Sequence, residues 1–302
     1  MNKLPFYIIT SDATKDILPA TAYLYNKYWK PEGGQHFKVL GNHAPEAILP
    51  ENFEFVKVKD ENTIQKWTHY LYDYILNNEK SEYFVLTLDD YMPNSPLKPE
   101  IIDSLISYAK SNKKIGRISL ARLDVEKKEI VKNLGSYDIV RLKKNSSYRI
   151  SCQTSIWNRE YFLKYFNRDW TPWDLELKGS KEAQEDDWEV IGTDRDWAFR
   201  WEEESSLSGR WPGMINVLGM RIEDIKYLVE NKVLQPEKLQ YGIWYDCRIP
   251  FLSKFQNISK KFTKIPKFSE IKYDFKWDLI KPYIRNKTFD RLYFRYKDIY
   301  KK

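Results

Sequence analysis

Apolar runs of strand length alternate with helical patterns along the first part of the chain. The runs that predict strands read, in chain order, "KLPFYIITS", "FKVLG", "FEFVKV", "YFVLTL" and "IGRISL". Between them, apolar residues recur at helical spacing, as do Leu18, Ala22, Tyr25 and Trp29 on one face. Strands that alternate with helices predict βαβ units, and therefore a largely parallel sheet with both faces covered.

The pattern becomes less regular after about residue 121. "YDIVRLKK", "YRISCQTSIW" and "MINVLGM" predict further strands, the first two of them antiparallel. "NREYFLKYF" and "TPWDLELKGSKEA" predict helices, and the charge-rich "KEAQEDDWEVIGTDRDW" predicts a solvated connection. The fold class expected is therefore α/β, Rossmann-like, with a mostly parallel central sheet and a more irregular C-terminal half.

Composition excludes several classes of protein. Hydrophobic residues make up 42% of the chain and charged residues 31%, which is typical of a soluble globular protein. No apolar stretch approaches the roughly 18 residues that span a bilayer, and "MNKLPFYIIT" is too short in its apolar part for a signal peptide. Two cysteines form no disulfide framework, so we expect a cytoplasmic protein. With only three histidines, the chain has few candidate ligands for a zinc site and few candidates for the histidine of a serine–histidine triad.

The net charge of +7 is concentrated at the C-terminus. Residues 253–302 hold 15 Lys/Arg against 5 Asp/Glu, whereas the rest of the chain holds 35 against 38. We expect 251–302 to be a basic, aromatic extension whose aromatic residues pack on the domain or on a second copy, which would make a homo-oligomer. Contact with an anionic membrane surface or a polyanionic glycan is the alternative. Specific nucleic-acid binding is not expected, because the body of the chain carries no basic excess.

Two adjacent carboxylates, Asp89 and Asp90, follow the apolar run "YFVLTL". Ligands of open α/β sheets bind at the carboxyl ends of the strands. Two neighbouring ionised carboxylates repel each other unless a cation neutralises them, and Mg²⁺ typically combines one or two carboxylates with phosphate oxygens. The pair therefore predicts a metal shared with a diphosphate, the alternative being a solvated turn at the end of a strand.

The first strand ends in Thr10, Ser11 and Asp12. These residue types are good helix N-caps, and they also stand where an open α/β sheet binds its ligand. Capping and ligand contact are both open, and one does not exclude the other.

Three short pieces of the sequence resemble nucleotide-sugar glycosyltransferases of the GT-A fold. They are "VLTLDDY", which is similar to the Asp-x-Asp-type motif of that fold, "SCQTSIWNREYFLKYF" and "TPWDLELKGS". Within the fold, the chain is most similar to a group found in bacteria, phages and large viruses. The resemblance extends over residues 5 to about 220 and leaves the C-terminal extension unmatched.

The resemblance implies a nucleotide-diphosphate sugar donor, Mn²⁺ or Mg²⁺, and an acceptor hydroxyl. It implies a glycosyltransferase domain over 1–250, with a nucleotide-binding half at about 1–120 and an acceptor half at about 121–250. Thr10, Ser11 and Asp12 would contact the donor. The motif departs from a strict Asp-x-Asp, and by similarity to Asp-Asp variants Asp90 is the metal ligand, while Asp89 assists or meets the ribose.

An inverting transfer also needs a carboxylate that takes the proton of the acceptor hydroxyl. Thr171, Pro172 and Asp174 form a capping-box pattern, which gives Asp174 a structural role. Glu176 has no such role, and its apolar neighbours would exclude water, so Glu176 is the predicted base and Asp174 the second candidate. In a retaining enzyme, Glu176 would position the substrate instead.

The function expected is a metal-dependent glycosyltransferase that acts on a hydroxyl of a glycan. Aromatic residues make up 16% of the chain, and Trp157, Trp173 and Trp188 are candidates for the floor of an acceptor site, although core packing is the first expectation for each. The alternatives are a non-catalytic carbohydrate-binding relative and a nucleic-acid-binding protein that acts through residues 253–302.

Overall fold

The computed structural model describes residues 4–58, 64–112, 114–121, 123, 128–195, 215–216, 220–235 and 239–240. The first compact unit of the chain ends at Leu239. The predicted extension, 251–302, lies outside the described residues, so its boundary and its partners stay predictions.

The helices are α1 (Leu18–Tyr28), α2 (Trp67–Asn78), α3 (Pro99–Ser111), α4 (Arg159–Phe166), α5 (Pro172–Asp174), α6 (Ser180–Glu182) and α7 (Ile222–Glu230). A π-helix, Leu175–Gly179, joins α5 to α6, and the continuous helix 172–182 is named the site helix. Short 3-10 helices, Lys15–Ile17 and Ile64–Lys66, precede α1 and α2. Among the described residues, no helix combines the length and the hydropathy that crossing a membrane requires.

The strands are β1 (Phe6–Ile9), β2 (Phe37–Gly41), β3 (Phe53–Lys57), β4 (Tyr83–Leu88), β5 (Ile115–Ser119), β6 (Lys128–Asn133), β7 (Asp138–Leu142), β8 (Ser155–Asn158) and β9 (Glu189–Thr193). These described strands form one nine-stranded sheet in the order β3-β2-β1-β4-β8-β5-β9-β7-β6. β10 (Ile215–Asn216) and β11 (Leu239–Gln240) form a separate pair.

β1 to β4 are parallel to one another, whereas β8 is antiparallel to both of its neighbours. β1 pairs in parallel with β2 and β4, and β2 with β3. β8 lies between β4 and β5 and is antiparallel to both. Because β8 runs the other way, its first residues lie at the edge of the sheet where β4 and β5 end. The loop 146–154, which leads into β8 and is named the site loop, therefore reaches the carboxyl ends of the parallel strands.

The side chains of β1 divide the core into two layers. Phe6 and Ile8 face the layer that contains α1 and α3, whereas Tyr7 and Ile9 face the layer that contains α2 and α4. This is the two-residue period of a strand, and both faces are apolar because helices cover both. The α/β class predicted from the sequence is confirmed, with helices on both faces of the sheet.

The local predictions hold best in the first half of the chain. All five predicted strands form, and the predicted face of α1 (Leu18, Ala22, Tyr25, Trp29) is buried in the core. Pro99 occupies the first turn of α3, as expected from its missing N–H. Asn158 caps α4 by accepting from the backbone N–H groups of Glu160 and Tyr161.

Two predictions for the second half are wrong. The segment predicted as a solvated connection contains β9, whose residues "EVIGT" pair with β5 and β7 inside the sheet. Of "YRISCQTSIW", only the end forms a strand, β8, and the rest forms the site loop. In the first case, charged residues on both sides concealed a short strand that is buried on both faces. In the second case, the strand was predicted but drawn too long, across polar residues that form the loop.

Candidate functional site

The carboxyl ends of β1 and β4 and the amino end of β8 meet at one edge of the sheet. Thr10 follows β1, Asp89 follows β4, and Thr154 precedes β8. The Thr154 and Thr87 hydroxyls lie 2.7 Å apart, which joins the end of β4 to the site loop. The sequence-predicted metal and donor residues therefore lie at the edge where ligands bind in open α/β sheets.

The backbone and side chain of Asp89 are both fixed. Its side chain is 3% exposed, and its Oδ2 accepts a hydrogen bond of 2.6 Å from the Thr10 hydroxyl. Its N–H donates to the Ile9 carbonyl oxygen at 2.9 Å, and its own carbonyl oxygen accepts from the Thr21 hydroxyl at 2.6 Å. Burial raises the pKa of Asp89 to about 6, although the hydrogen bond from Thr10 acts in the opposite direction.

Asp90 lies in a still less favourable place for a negative charge. Its Oδ1 is buried and has no hydrogen-bond partner among the described residues. Burial, followed by the charge of Asp89, raises the pKa of Asp90 to about 8. An orphaned carboxylate oxygen beside a second buried carboxylate is the donor set that a hard cation completes.

The described residues contain no group of three or more His, Cys, Asp or Glu side chains arranged to hold a metal ion. A cation that takes phosphate oxygens from its substrate needs only one or two protein carboxylates. Asp89 and Asp90 therefore fit a metal that is shared with a ligand better than a metal held by protein alone.

Thr10, Ser11 and Asp12 have three different environments, and none of them is a helix N-cap, because Thr14 and Ile17 occupy the N-cap positions of the 3-10 helix and of α1. The Ser11 carbonyl oxygen accepts a hydrogen bond from the Lys15 N–H, and the Ser11 hydroxyl lies 2.9 Å from the Thr14 hydroxyl. Asp12 is exposed, and both of its carboxylate oxygens lie 3.0 Å from His43 Nδ1. Thr10 therefore belongs to the carboxylate site, Ser11 stabilises the turn before α1, and Asp12 is oriented by His43.

His43 was missed by the sequence reasoning. It follows Gly41, the last residue of β2, by two positions. β2 pairs in parallel with β1, so His43 and Asp12 reach the same edge of the sheet. The strand-end rule that selected Asp12 would also have selected His43.

Glu176 lies in the π-helix of the site helix and contacts the site loop. Its Oε1 accepts from the Cys152 N–H at 2.8 Å and from the Ser151 hydroxyl at 3.1 Å. No described residue donates to its Oε2. π-helical turns occur frequently at functional sites, where the extra residue turns a side chain toward a ligand.

The Cys152 thiol is buried in the site loop beside Glu176, whose Oε1 accepts from the Cys152 N–H. Burial raises the pKa of this thiol, and the charges of Glu176 and Asp90 raise it further, while Arg117 acts in the opposite direction. The site loop meets both the helix that carries Glu176, through the Cys152 N–H, and the strand that Asp89 and Asp90 follow, through Thr154 and Thr87, although 86 residues separate Glu176 from Asp90. The structure brings the predicted base and the predicted metal ligand to the same edge of the sheet.

Two buried arginines hold the site loop, and the sequence reasoning missed both. Arg117, in β5, donates to the Ser155 hydroxyl at 3.0 Å and to the Tyr148 carbonyl oxygen at 3.3 Å. Burial lowers its pKa to about 10. Arg149 donates to four carbonyl oxygens, including that of Ala183 just after the site helix. A cation inside an apolar run such as "IGRIS" was the available signal, because a charge there requires partners.

Asp174 has the structural role that its position predicted. The capping box is confirmed: the Thr171 hydroxyl accepts from the Asp174 N–H at 3.0 Å, and Asp174 Oδ2 accepts from the Thr171 N–H at 3.3 Å. Lys178 Nζ lies 2.8 Å from Asp174 Oδ1. Hydrogen bonds from Lys178 and Thr171 lower the pKa of Asp174. Its place as the second candidate base stays a prediction.

The three candidate tryptophans occupy different environments. Trp157 is completely buried, and Trp188 packs against Tyr161 with ring centroids 5.3 Å apart, so core packing is confirmed for both. Trp173 is 64% exposed, and the expectation of core packing is wrong for it. Trp173 lies in the first turn of the site helix, where its neighbour Leu175 takes the buried position.

The sequence matches no protein-family model and no curated protein. Among solved structures, the chain is similar to apo UDP-glucose pyrophosphorylase, with 10% identity, a TM-score of 0.40, and coverage of 76% of this chain and 100% of that one. It is similar to UDP-glucose pyrophosphorylase complexed with UDP-glucose at 12% identity and a TM-score of 0.37, over 65% and 91% of the two chains. A cytidylyltransferase from Leptospira borgpetersenii serovar Hardjo-bovis has 10% identity and a TM-score of 0.41, over 80% and 99%. Values this low identify neither a family nor an activity, and what the chain does has to be inferred from its site.

Proposed function

We propose that the chain is a metal-dependent glycosyltransferase, which moves a sugar from a nucleotide-diphosphate sugar to an acceptor hydroxyl on a glycan. The observation that carries the proposal is the buried Asp90 Oδ1, which has no hydrogen-bond partner among the described residues and lies beside buried Asp89. A divalent cation that also takes diphosphate oxygens would supply the charge that this pair lacks.

Asp90 would hold Mn²⁺ or Mg²⁺, with Asp89 assisting it. When bound, the cation would neutralise the charge that develops on the leaving diphosphate. Thr10 holds Asp89 by a hydrogen bond of 2.6 Å, so Asp89 meets the cation or the donor ribose in one orientation. The protein thus keeps the Asp89 carboxylate in place before the donor arrives, which lowers the entropic cost of binding it.

Donor recognition would use the ends of the parallel strands. Thr10, Ser11 and Asp12 follow β1, and His43 follows β2. The Asp12 carboxylate and the His43 ring are exposed and hydrogen-bonded to each other, which suits contact with the hydroxyls and the base of a nucleoside.

Glu176 would be the general base of an inverting reaction. Its Oε1 is held by Cys152 and Ser151, and the other carboxylate oxygen would take the proton of the acceptor hydroxyl as that hydroxyl attacks the anomeric carbon. Asp174 is less suited, because its carboxylate already serves the capping box and Lys178. If the reaction retains configuration, Glu176 would position the substrate.

The experiment is an assay of nucleoside diphosphate released from a panel of nucleotide-diphosphate sugars, with Mn²⁺ or with a chelator. The wild type is expected to release product only with metal, and Asp90→Asn to release none. Glu176→Gln is expected to lower transfer by about 10²- to 10⁴-fold, the usual contribution of a general base. Asp187→Asn is the control, because the Asp187 side chain is 82% exposed. Absence of release from every donor would contradict the proposal.

A non-catalytic carbohydrate-binding protein is the second candidate, favoured by the exposure of Trp173. Such a protein would bind glycans without releasing nucleoside diphosphate and without thermal stabilisation by nucleotide-diphosphate sugars. The nucleic-acid alternative depends on residues 253–302, which lie outside the described part of the chain. It predicts binding that weakens steeply with salt and disappears when those residues are deleted.

A further inference from the structure

Large apolar side chains remain in solvent on the two segments that meet at Glu176. On the site helix, Trp173 is 64% exposed and Leu177 is 63% exposed. On the site loop, Tyr148 is 54% exposed. Single exposed apolar residues are ordinary, but Trp173 and Leu177 lie four positions apart on one helix, and neighbouring exposed apolar side chains indicate a binding surface.

Folding does not explain the exposure of Trp173. The site helix already buries Leu175 and Gly179 in the core and is fixed to the site loop through Ser180, whose hydroxyl bonds both the N–H and the carbonyl oxygen of Ile150. The buried Trp157 shows that the fold can enclose an indole where the core requires one. Trp173 and Leu177 therefore stay available for a ligand.

Charged residues alternate with the apolar ones along the same helix. Trp173 and Leu177 are interleaved with Asp174, Glu176 and Lys178. The Asp174 and Lys178 side chains are 34% and 60% exposed. A wholly apolar partner would cover these groups and leave them without water, which costs free energy. A ring with apolar C–H faces and hydroxyls at its rim satisfies both kinds of residue.

We propose that Trp173 and Leu177 form the platform on which a sugar ring of the acceptor stacks, and that Trp173 determines acceptor specificity. The proposal rests on the proposed function, since the platform borders Glu176. Stacking on Trp173 places the ring face against the indole, and its hydroxyls toward Asp174, Lys178 and Glu176. The acceptor is then a carbohydrate rather than a protein hydroxyl or a lipid hydroxyl.

The experiment measures glycan binding without donor or metal, so it is separate from the test of catalysis. Fluorescently labelled full-length protein is applied to a printed array of oligosaccharides ending in glucose, galactose, mannose, N-acetylglucosamine or rhamnose. The wild type is expected to bind a subset of these oligosaccharides. Trp173→Ala is expected to bind them at least about tenfold more weakly, because it loses one stacking contact, whereas Trp173→Phe keeps an aromatic ring and should retain most of the binding. Ile130→Ala is the matched control, because Ile130 is 65% exposed and lies on β6 at the far edge of the sheet.

Thermal unfolding of each variant shows that it is folded. Asp90→Asn is expected to bind the same glycans as the wild type, because Trp173 and Leu177 are unchanged in it. If this variant binds glycans but does not transfer sugar, the metal site and the glycan platform have separate roles. The inference is overturned if the wild type binds no oligosaccharide on the array. It is equally overturned if Trp173→Ala binds as tightly as the wild type, or if Ile130→Ala loses binding to the same extent.

Discussion

Replacement of Asp90 by asparagine is expected to stabilise the metal-free protein while removing its response to metal. Burial and the charge of Asp89 raise the pKa of Asp90 from 3.8 to about 8. Because the folded-state pKa lies above that of the unfolded chain, ionisation favours unfolding, and stability falls as the pH rises from about 4 toward 8. Asparagine has no proton to lose, so the variant lacks this part of the pH dependence.

The size of the effect follows from the same values. At pH 7 the ordinary pKa of 3.8 lies about three units below the solution pH, and at 1.36 kcal/mol per unit ionisation costs at most about 4 kcal/mol. The amide N–H groups of the new asparagine are buried and need acceptors, and this lowers the free energy of unfolding of the variant by about 1–3 kcal/mol. A net gain of about 2 kcal/mol corresponds to a Tm higher by about 4–8 °C in a domain of this size.

The assay is thermal unfolding followed by circular dichroism between pH 5 and pH 8, in the presence of a chelator. The Tm of the wild type is expected to fall below that of Asp90→Asn as the pH rises. Asp187→Asn, which changes an 82% exposed carboxylate, should follow the wild type. Adding Mn²⁺ with nucleoside diphosphates should raise the Tm of the wild type and of Asp187→Asn, and leave Asp90→Asn unchanged. If Asp90→Asn is less stable than the wild type at pH 7.5 without metal, the reasoning about the carboxylate pair is wrong.

Two further substitutions test the frame of the site. Thr10→Val removes the 2.6 Å hydrogen bond to Asp89 while keeping the shape of the side chain. It should weaken the binding of Mn²⁺ with nucleoside diphosphate by about tenfold, as measured by thermal-shift titration. An unchanged affinity would show that Asp89 does not need this hydrogen bond to bind the metal. Gly116→Ala would place a Cβ 2.3 Å from the Tyr161 ring and should lower the free energy of unfolding by about 2–3 kcal/mol in urea. Gly179→Ala, whose Cβ would meet its nearest atoms only at 3.6 Å, is its control, and equal stability of the two variants would contradict the packing argument.

The sequence by itself determined the features that depend on neighbouring residues. The alternation of apolar runs and helical patterns predicted β1 to β5 and the buried face of α1, because strand and helix periodicities appear within a few residues. The capping box of Thr171 and Asp174 was predictable for the same reason, since its two residues are only three positions apart. The position of Asp89 and Asp90 at the end of a strand followed from the apolar run before them.

Only the tertiary structure decided which distant residues share the site. The antiparallel placement of β8 between β4 and β5 brings the site loop to the end of β4, and the same loop contacts Glu176. The tertiary structure also decided that Trp157 is buried while Trp173 is exposed, although each has one apolar and one polar neighbour in sequence. The environment of a side chain is set by the elements packed around it, and for these residues those elements come from parts of the chain that no local pattern connects.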